Sequence, residues 1–378
     1  MGNSKVMRIR RPLVVTVWCA IVLACGSSFG QDRPRRDLNV VLVTMDGLRW
    51  QEVFGGAQEK LIDERAGGVR DIQDLRRRYL RETPEARREA LMPFFWSVVA
   101  RQGQVFGEAK KGSPARLTNG LKFSYPGYNE MLTGAPDPRI DTNNKVPNPN
   151  VTVLEWLNRR PGFAGKVAAF GTWDVLYSIV NVERSRLPVV AGWDPSRDEP
   201  LSEEEKVVNA LLPDLPRLWP DNAFDVITQR LAMEYLRKHR PRVLYVMLGE
   251  TDEWAHMRRY DCYLDSACRG DDYLRRLWET LQSMPEYAGK TSLVITTDHG
   301  RGETKQNWTD HGKEVDGAEF VWIGAMGPGV EPLGVRENVE ATQGQVAATV
   351  AALVGEDFHG VMARSAAPLP TGSSRKGN

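Results

Sequence analysis

Apolar residues fall into short unbroken runs along this chain, and several runs end on a carboxylate. Leu38 to Met45 leads into Asp46-Gly47, and Ser292 to Thr297 leads into Asp298-His299-Gly300. Similar runs cover Lys166 to Phe170, Arg242 to Leu248 and Glu319 to Ala325, the last closing on Met326-Gly327-Pro328-Gly329. Runs of this length bounded by turn residues read as strands. Helical periods separate them, at Val151 to Arg159, 223–238, Asp271 to Met284 and Thr342 to Val354. Strands alternating with helices predict an α/β fold, with a central, mainly parallel sheet and helices on both faces. Ligands of such sheets bind beyond the carboxyl ends of the strands. Asp46, Asp252 and Asp298 all fall there.

The remaining segments read as decoration. Residues 58–90 are densely charged, with Arg76-Arg77-Arg78 and Arg87-Arg88 among acids, and predict one or two exposed helices broken near Thr83-Pro84. Residues 91–101 place Met92, Phe94, Phe95, Val98 and Val99 on one helical face, expected beneath the sheet. A Pro/Asn-rich loop covers 134–150, and the Pro- and Trp-rich stretch 183–222 reads as an insertion near the mouth of the site. One catalytic domain is expected over 38–366, followed by a disordered tail over 367–378.

The N-terminus reads as a targeting segment. Lys5, Arg8, Arg10 and Arg11 precede an apolar stretch from Leu13 to Cys25, and small residues follow. This is the order of a secretory leader over 1–30, with a polar linker over 31–37. Export to the periplasm or the extracellular space is favoured. A lipidated Cys25 or an uncleaved leader is the alternative that would bring the protein to a membrane. With Cys19 and Cys25 in the leader, Cys262 and Cys268 remain, and in an oxidising compartment a disulfide between them is favoured over a thiol metal pair. The net charge of +1 gives no support for nucleic-acid binding, so no nucleic-acid polymer is expected as a partner.

The chemistry is concentrated in three of the five histidines. Asp252-Glu-Trp-Ala-His256 has helical i, i+4 spacing, which puts a carboxylate and an imidazole on one face. Asp298-His299 closes a strand, and Gly300 permits the turn that brings both side chains to one side. His311 follows in Asp310-His311-Gly312, with Asp310 read as a group orienting an imidazole. With Asp46, these residues form a mixed carboxylate and imidazole set large enough for two divalent cations.

Five pieces occur in the order found in the alkaline phosphatase superfamily. They are Val43-Thr-Met-Asp46-Gly-Leu-Arg, Lys122-Phe-Ser124-Tyr-Pro-Gly-Tyr, Asp252-x-x-x-His256, Thr297-Asp298-His299-Gly and His311-Gly. The chain resembles that superfamily, close to its type I phosphodiesterase/nucleotide pyrophosphatase branch. The resemblance implies an alkaline-phosphatase-like fold and two divalent ions, zinc by habit of the family, with manganese compatible with the ligands. It implies one ion on Asp46, Asp298, His299 and Ser124, and the other on Asp252, His256 and His311. Ser124 is the implied nucleophile, with Thr118 and Thr133 as alternatives. Asn143 or Asn144 stands where the family places a phosphoryl-binding amide, and Asn144 is preferred. Lys122 would add positive charge. The expected partner is a small-molecule phosphate ester, hydrolysed through a serine phospho-enzyme. A sulfatase, a phosphotransferase or mutase, and a non-catalytic metal-binding surface protein are the rival readings. The position four after Ser124 is Tyr128, where the sulfatase maturation motif needs Arg. The short step from His299 to His311 implies a reduced nucleotide-binding insertion.

Overall fold

The computed structural model describes residues 1–2 and 37–372; the leader with Cys19 and Cys25, the linker as far as Arg36 and residues 373–378 lie outside the described residues. Eleven strands are present among the described residues: β1 Asn39–Met45, β2 Gly103–Phe106, β3 Ala115–Arg116, β4 Val167–Gly171, β5 Val189–Ala191, β6 Val243–Leu248, β7 Thr291–Thr296, β8 Phe320–Val321, β9 Ile323–Met326, β10 Gly334–Val335 and β11 Ala341–Thr342. Eight form one sheet in the order β10-β2-β9-β7-β1-β6-β4-β5, and β11-β3-β8 form a second, small one.

Alternate residues of the central strands face two separate cores. Val41, Val43, Leu244, Val246, Leu293 and Ile295 face one core. Val40, Leu42, Val243, Tyr245 and Val294 face the other. Every residue of β1, β6 and β7 is buried, which is why these runs are continuously apolar rather than alternating. Helices Ile72–Tyr79, Pro84–Leu91, Asp225–His239 and Tyr260–Ser283 cover the first face. Helices Ser124–Thr133, Val153–Asn158 and Gln345–Leu353 cover the second.

β1 pairs in parallel with β6 on one side and β7 on the other. Met45 lies opposite Leu248, and Thr44 lies opposite Thr296. The three carboxyl ends are therefore level at the middle of the sheet. The expected mainly parallel character holds from β7 to β5, but β9 runs antiparallel to both β2 and β7. The last apolar run is thus a reversed strand, split from β8 at Trp322.

Several expectations need correction. The 183–222 stretch contributes β5, an edge strand of the main sheet, as well as the helix Glu203–Leu211. Residues 367–372 are not a free tail: Leu369 N donates to Thr349 Oγ1 at 2.8 Å, and Thr371 O accepts from Gln104 Nε2 at 2.7 Å. Cys262 and Cys268 are both free and lie on the same helix, Tyr260–Ser283. Six residues of helix separate them by about 9 Å along the axis, beyond disulfide reach. The break at Thr83-Pro84 is present. Thr83 caps a helix by accepting from Ala86 N at 3.1 Å, and Pro84 takes the first turn. Among the described residues no helix is long and apolar enough to cross a membrane.

Asp271 locks two helical segments together. It is fully buried on helix Tyr260–Ser283 and accepts from Phe94 N at 2.7 Å and Phe95 N at 2.8 Å. Those amides begin the 95–99 turn that packs Phe95 and Trp96 into the core. Replacing Asp271 with Ala strands two buried donors and should lower the unfolding free energy by about 2–4 kcal/mol in urea melts, with Asp271→Asn losing less. A change below about 0.5 kcal/mol for D271A would contradict this role.

Candidate active site

Six of the seven ligand candidates lie just past the end of β1, β6 or β7, or on the loop that follows β7, and the seventh, Ser124, opens the helix Ser124–Thr133. Asp46 leaves β1 with its main chain still in the ladder, its N–H donating to Leu248 O at 2.8 Å. Its carboxylate accepts from Tyr128 Oη at 2.7 Å through Oδ2, while the buried Oδ1 has no partner. Gly47 turns the chain at φ 59° and donates to Asp298 Oδ1 at 3.0 Å. A Cβ there would stand 2.6 Å from Asp252 Oδ1, so only glycine lets the carboxylates approach.

His299 is the hub. Its Nδ1 lies 2.9 Å from the Gly300 carbonyl, which can only accept, so Nδ1 carries a proton and Nε2 is the nitrogen turned to the cluster. Around Nε2 stand Ser124 Oγ at 3.3 Å, Asp46 Oδ1 at 3.4 Å, Asp298 Oδ2 at 3.5 Å and Asp252 Oδ1 at 3.6 Å. The helix Glu250–His256 carries the next pair, with His256 Nε2 3.2 Å from Asp252 Oδ2. His311 Nε2 lies 3.0 Å from His256 Nε2 and 3.8 Å from Asp252 Oδ1. All seven residues proposed as ligands from the sequence therefore meet in one cluster. Among the described residues, two groups have ligand atoms close enough for a cation: Asp46, Asp298 and His299, and Asp252, His299 and His311. His299 belongs to both, which the resemblance alone did not imply.

The electrostatics fit cations. Burial pushes the Asp46 carboxyl well up, and Asp298 and Asp252 add to the shift. Burial also raises Asp298. For Asp252 burial opposes ionisation, but Arg301 and His256 outweigh it and hold the carboxyl well below its usual range. Burial and His299 hold His311 well below the usual imidazole value, hence neutral. Asp298 Oδ2, like Asp46 Oδ1, is buried without a partner. Two orphaned carboxyl oxygens beside imidazole nitrogens are a donor set for divalent metal, and this set fits the group the sequence implied.

Ser124 is 5% exposed and opens the helix Ser124–Thr133. The alternatives fall away from the cluster: Thr118 Oγ1 donates to Glu130 at 2.8 Å, and Thr133 Oγ1 to Asn129 O at 2.7 Å. Gly127 follows from close packing, because a Cβ there would lie 2.3 Å from the Asp298 carbonyl oxygen. The amide beside Ser124 is Asn143, not Asn144. Asn143 Oδ1 accepts from Tyr125 N at 3.0 Å, which leaves its NH2 as the group free to donate to a ligand. Asn144 is exposed, does not line the cavity, and makes local turn bonds through its main chain, to Thr142 Oγ1 and from Val146 N. Asp310 does not orient His311; its carboxylate accepts from Thr309 Oγ1 at 3.1 Å. Lys122 pairs with Glu319 at 3.2 Å rather than facing the site.

A cavity of about 200 Å3 opens over this cluster, lined by Asn143, Trp173, Asn222 and Glu253 beside Ser124 and the ligands. Lys145 pairs with Asp174 at 2.7 Å and Asp221 at 3.3 Å. Lys145, Tyr177 and Trp193 line a neighbouring cavity of about 440 Å3. A larger cavity, about 490 Å3, lies between helices Asp225–His239 and Tyr260–Ser283 and contains none of the ligand candidates. Sequence reasoning missed Arg301 and Tyr128. Arg301 directly follows Asp298-His299-Gly300, and Tyr128 lies one helical turn from Ser124; both spacings were legible signals.

No family model matches the sequence, and no curated protein matches it either. Solved structures do. Alkaline phosphatase PafA superposes with a TM-score of 0.60 at 11% identity, over 90% of this chain and 99% of that one. A putative sulfatase from Bacteroides thetaiotaomicron VPI-5482 gives 0.52 at 14%, over 89% of this chain and 72% of that one. Ps i-CgsB in complex with k-i-k-neocarrahexaose gives 0.50 at 15%, over 87% and 74%. At such identities the likeness is one of fold.

The raised carboxyls set a pH dependence. A folded Asp pKa above the unfolded value of about 3.9 means that stability falls as pH rises from there through the folded value. The lowered His311 acts oppositely, adding stability as pH rises towards about 6.5. Cations compete with the carboxyl protons. Zinc should therefore raise the melting temperature of chelator-treated protein more at about pH 8 than at about pH 5. A zinc shift that is equal at both, or absent, would contradict the cage.

Proposed function

On the alkaline phosphatase superfamily fold that this chain carries, we propose an exported two-metal phosphoric ester hydrolase that works through Ser124. The observation that supports it most is Ser124 Oγ at 3.3 Å from His299 Nε2, beside the unpartnered oxygens of Asp46 and Asp298. Asp46, Asp298, His299 and Ser124 would hold one cation, and Asp252, His256 and His311 the other. When bound, the two cations supply positive charge for the non-bridging and leaving oxygens and lower the pKa of the serine hydroxyl. Zinc suits the mixed oxygen and imidazole donors, and manganese is compatible with them.

The chain's own groups do the rest. Ser124 Oγ forms the bond to phosphorus as the bond to the leaving oxygen breaks. Water then cleaves the serine phosphate ester and restores the hydroxyl. The Asn143 carboxamide, fixed by Tyr125 N, is placed to donate to a phosphoryl oxygen. Tyr128 fixes Asp46 through Oδ2 and leaves Oδ1 towards the cluster.

A diester is the favoured substrate. Beyond the ligands and Ser124 the cavity is lined by Asn143, Trp173, Asn222, Gly249 and Glu253, with no lysine or arginine among the described residues. A phosphomonoester brings one more negative oxygen, which this lining does not neutralise and which Glu253 opposes. The sulfatase reading draws support from the sulfatase likeness. Against it, Tyr128 occupies the place of the maturation arginine and is engaged by Asp46. The leader, Lys5 to Cys25, supports export.

Ser124→Ala should cut turnover roughly 10³-fold or more while the circular dichroism spectrum is kept. Full activity in S124A would remove the serine from the mechanism. On a panel of aryl phosphodiester, phosphomonoester and sulfate ester, kcat/KM should be highest for the diester, and Glu253→Gln should narrow the gap to the monoester. A higher value for the sulfate ester would favour the rival reading.

A further inference from the structure

Arg301 is fully buried beside the cage. A guanidinium in such a place is costly to desolvate unless its bonds are well made. Its Nη2 donates to the Asp252 carbonyl at 3.1 Å and pairs with the Asp252 carboxylate through Oδ1. Its Nη1 donates to the Thr309 carbonyl, two residues before His311. One planar fork thus joins the helix that carries Asp252 and His256 to the loop that carries His311. A lysine has no second arm for such a bridge.

His311 needs that bridge. Its Nδ1 is buried with no partner, so no hydrogen bond on the far side of the ring orients it. Its position is set by the main chain at Thr309 and Asp310, where Asp310 O also accepts from Gly302 N at 3.0 Å. Gly302 is held in turn by Arg49 Nη1, which donates to its carbonyl at 2.9 Å. Arg301 also divides the Asp252 carboxylate: Oδ1 faces the guanidinium, while Oδ2 faces His256 at 3.2 Å.

We propose that Arg301 is a positioning residue that assembles Asp252, His256 and His311 into one cation site by fastening the His311 loop to the Asp252 helix. The proposal rests on the two-metal reading of the cage. The first set, Asp46, Asp298 and His299, receives no hydrogen bond or ion pair from Arg301, whose polar contacts go to Asp252 and Thr309, so the arginine acts on the second set first.

Calorimetric titration of zinc into chelator-stripped full-length protein tests this. The comparison set is wild type, Arg301→Met, Arg301→Lys, His311→Ala and the double variant R301M/H311A. Wild type should show two binding events, and the one that H311A removes belongs to the Asp252–His256–His311 set. R301M should weaken that event by about 10–100-fold and leave the other unchanged. R301K should not restore it, and R301M/H311A should bind zinc as H311A does. If R301M does not fold, R301K carries the same expectation. Unchanged events in the Arg301 variants, or equal weakening of both events, would overturn the positioning role while leaving the two-metal reading intact. A wild type that binds no zinc would overturn that reading and the proposal together, and is recognised because no variant is involved.

Discussion

Three carboxylates forced together in the interior govern this molecule. Asp46, Asp252 and Asp298 each place an oxygen within 3.6 Å of a single imidazole nitrogen. Like charges gathered around one atom repel strongly in a low-dielectric interior. Among the described residues, Arg301 stands against them as the fixed cation in contact, paired with Asp252. The surrounding structure holds them there regardless. Gly47 gives the turn without a side chain, Tyr128 binds one oxygen of Asp46, and the Gly47 amide binds one of Asp298. What remains unbound is one oxygen on each of those two acids, aimed at the same space.

Much of this was legible in the sequence because the strands that carry it are buried on both faces. Such strands must be continuously apolar, so Val40 to Met45, Val243 to Leu248 and Ser292 to Thr296 announce themselves, and the acids that follow mark their ends. The short pieces were not legible. β3, β8, β10 and β11 are two residues each, too brief for any period to show. β2, Gly103–Phe106, contains Gln104, which reads as polar yet is buried because its amide binds Glu331 O and Thr371 O. The helix Tyr260–Ser283 begins well before its expected start, since Asp261, Asp271 and Arg269 are satisfied by tertiary partners that local pattern cannot reveal.

Within the site, the ligands were readable and their supports were not. Carboxylate and imidazole chemistry restricts which residues can serve as ligands, so Asp and His at strand ends stand out. Supports act through geometry instead. Asn143 and Asn144 are chemically identical neighbours, and only the direction of the loop selects the first. Asp310 has the right chemistry to orient an imidazole but turns to its own neighbour Thr309. Arg301 looks like any surface arginine until the fold closes over it.

The pairing of β7, β1 and β6 serves as a ruler for the chemistry. Asp46, Asp252 and Asp298 keep their mutual spacing because Met45 is matched to Leu248 and Thr44 to Thr296 along two parallel ladders. A slip of a single rung would displace one acid by about 3.3 Å and send alternate side chains to the opposite core. The core thus guards the active centre from misalignment: any register that spoiled the metal geometry would also drive valines and leucines into the wrong layer.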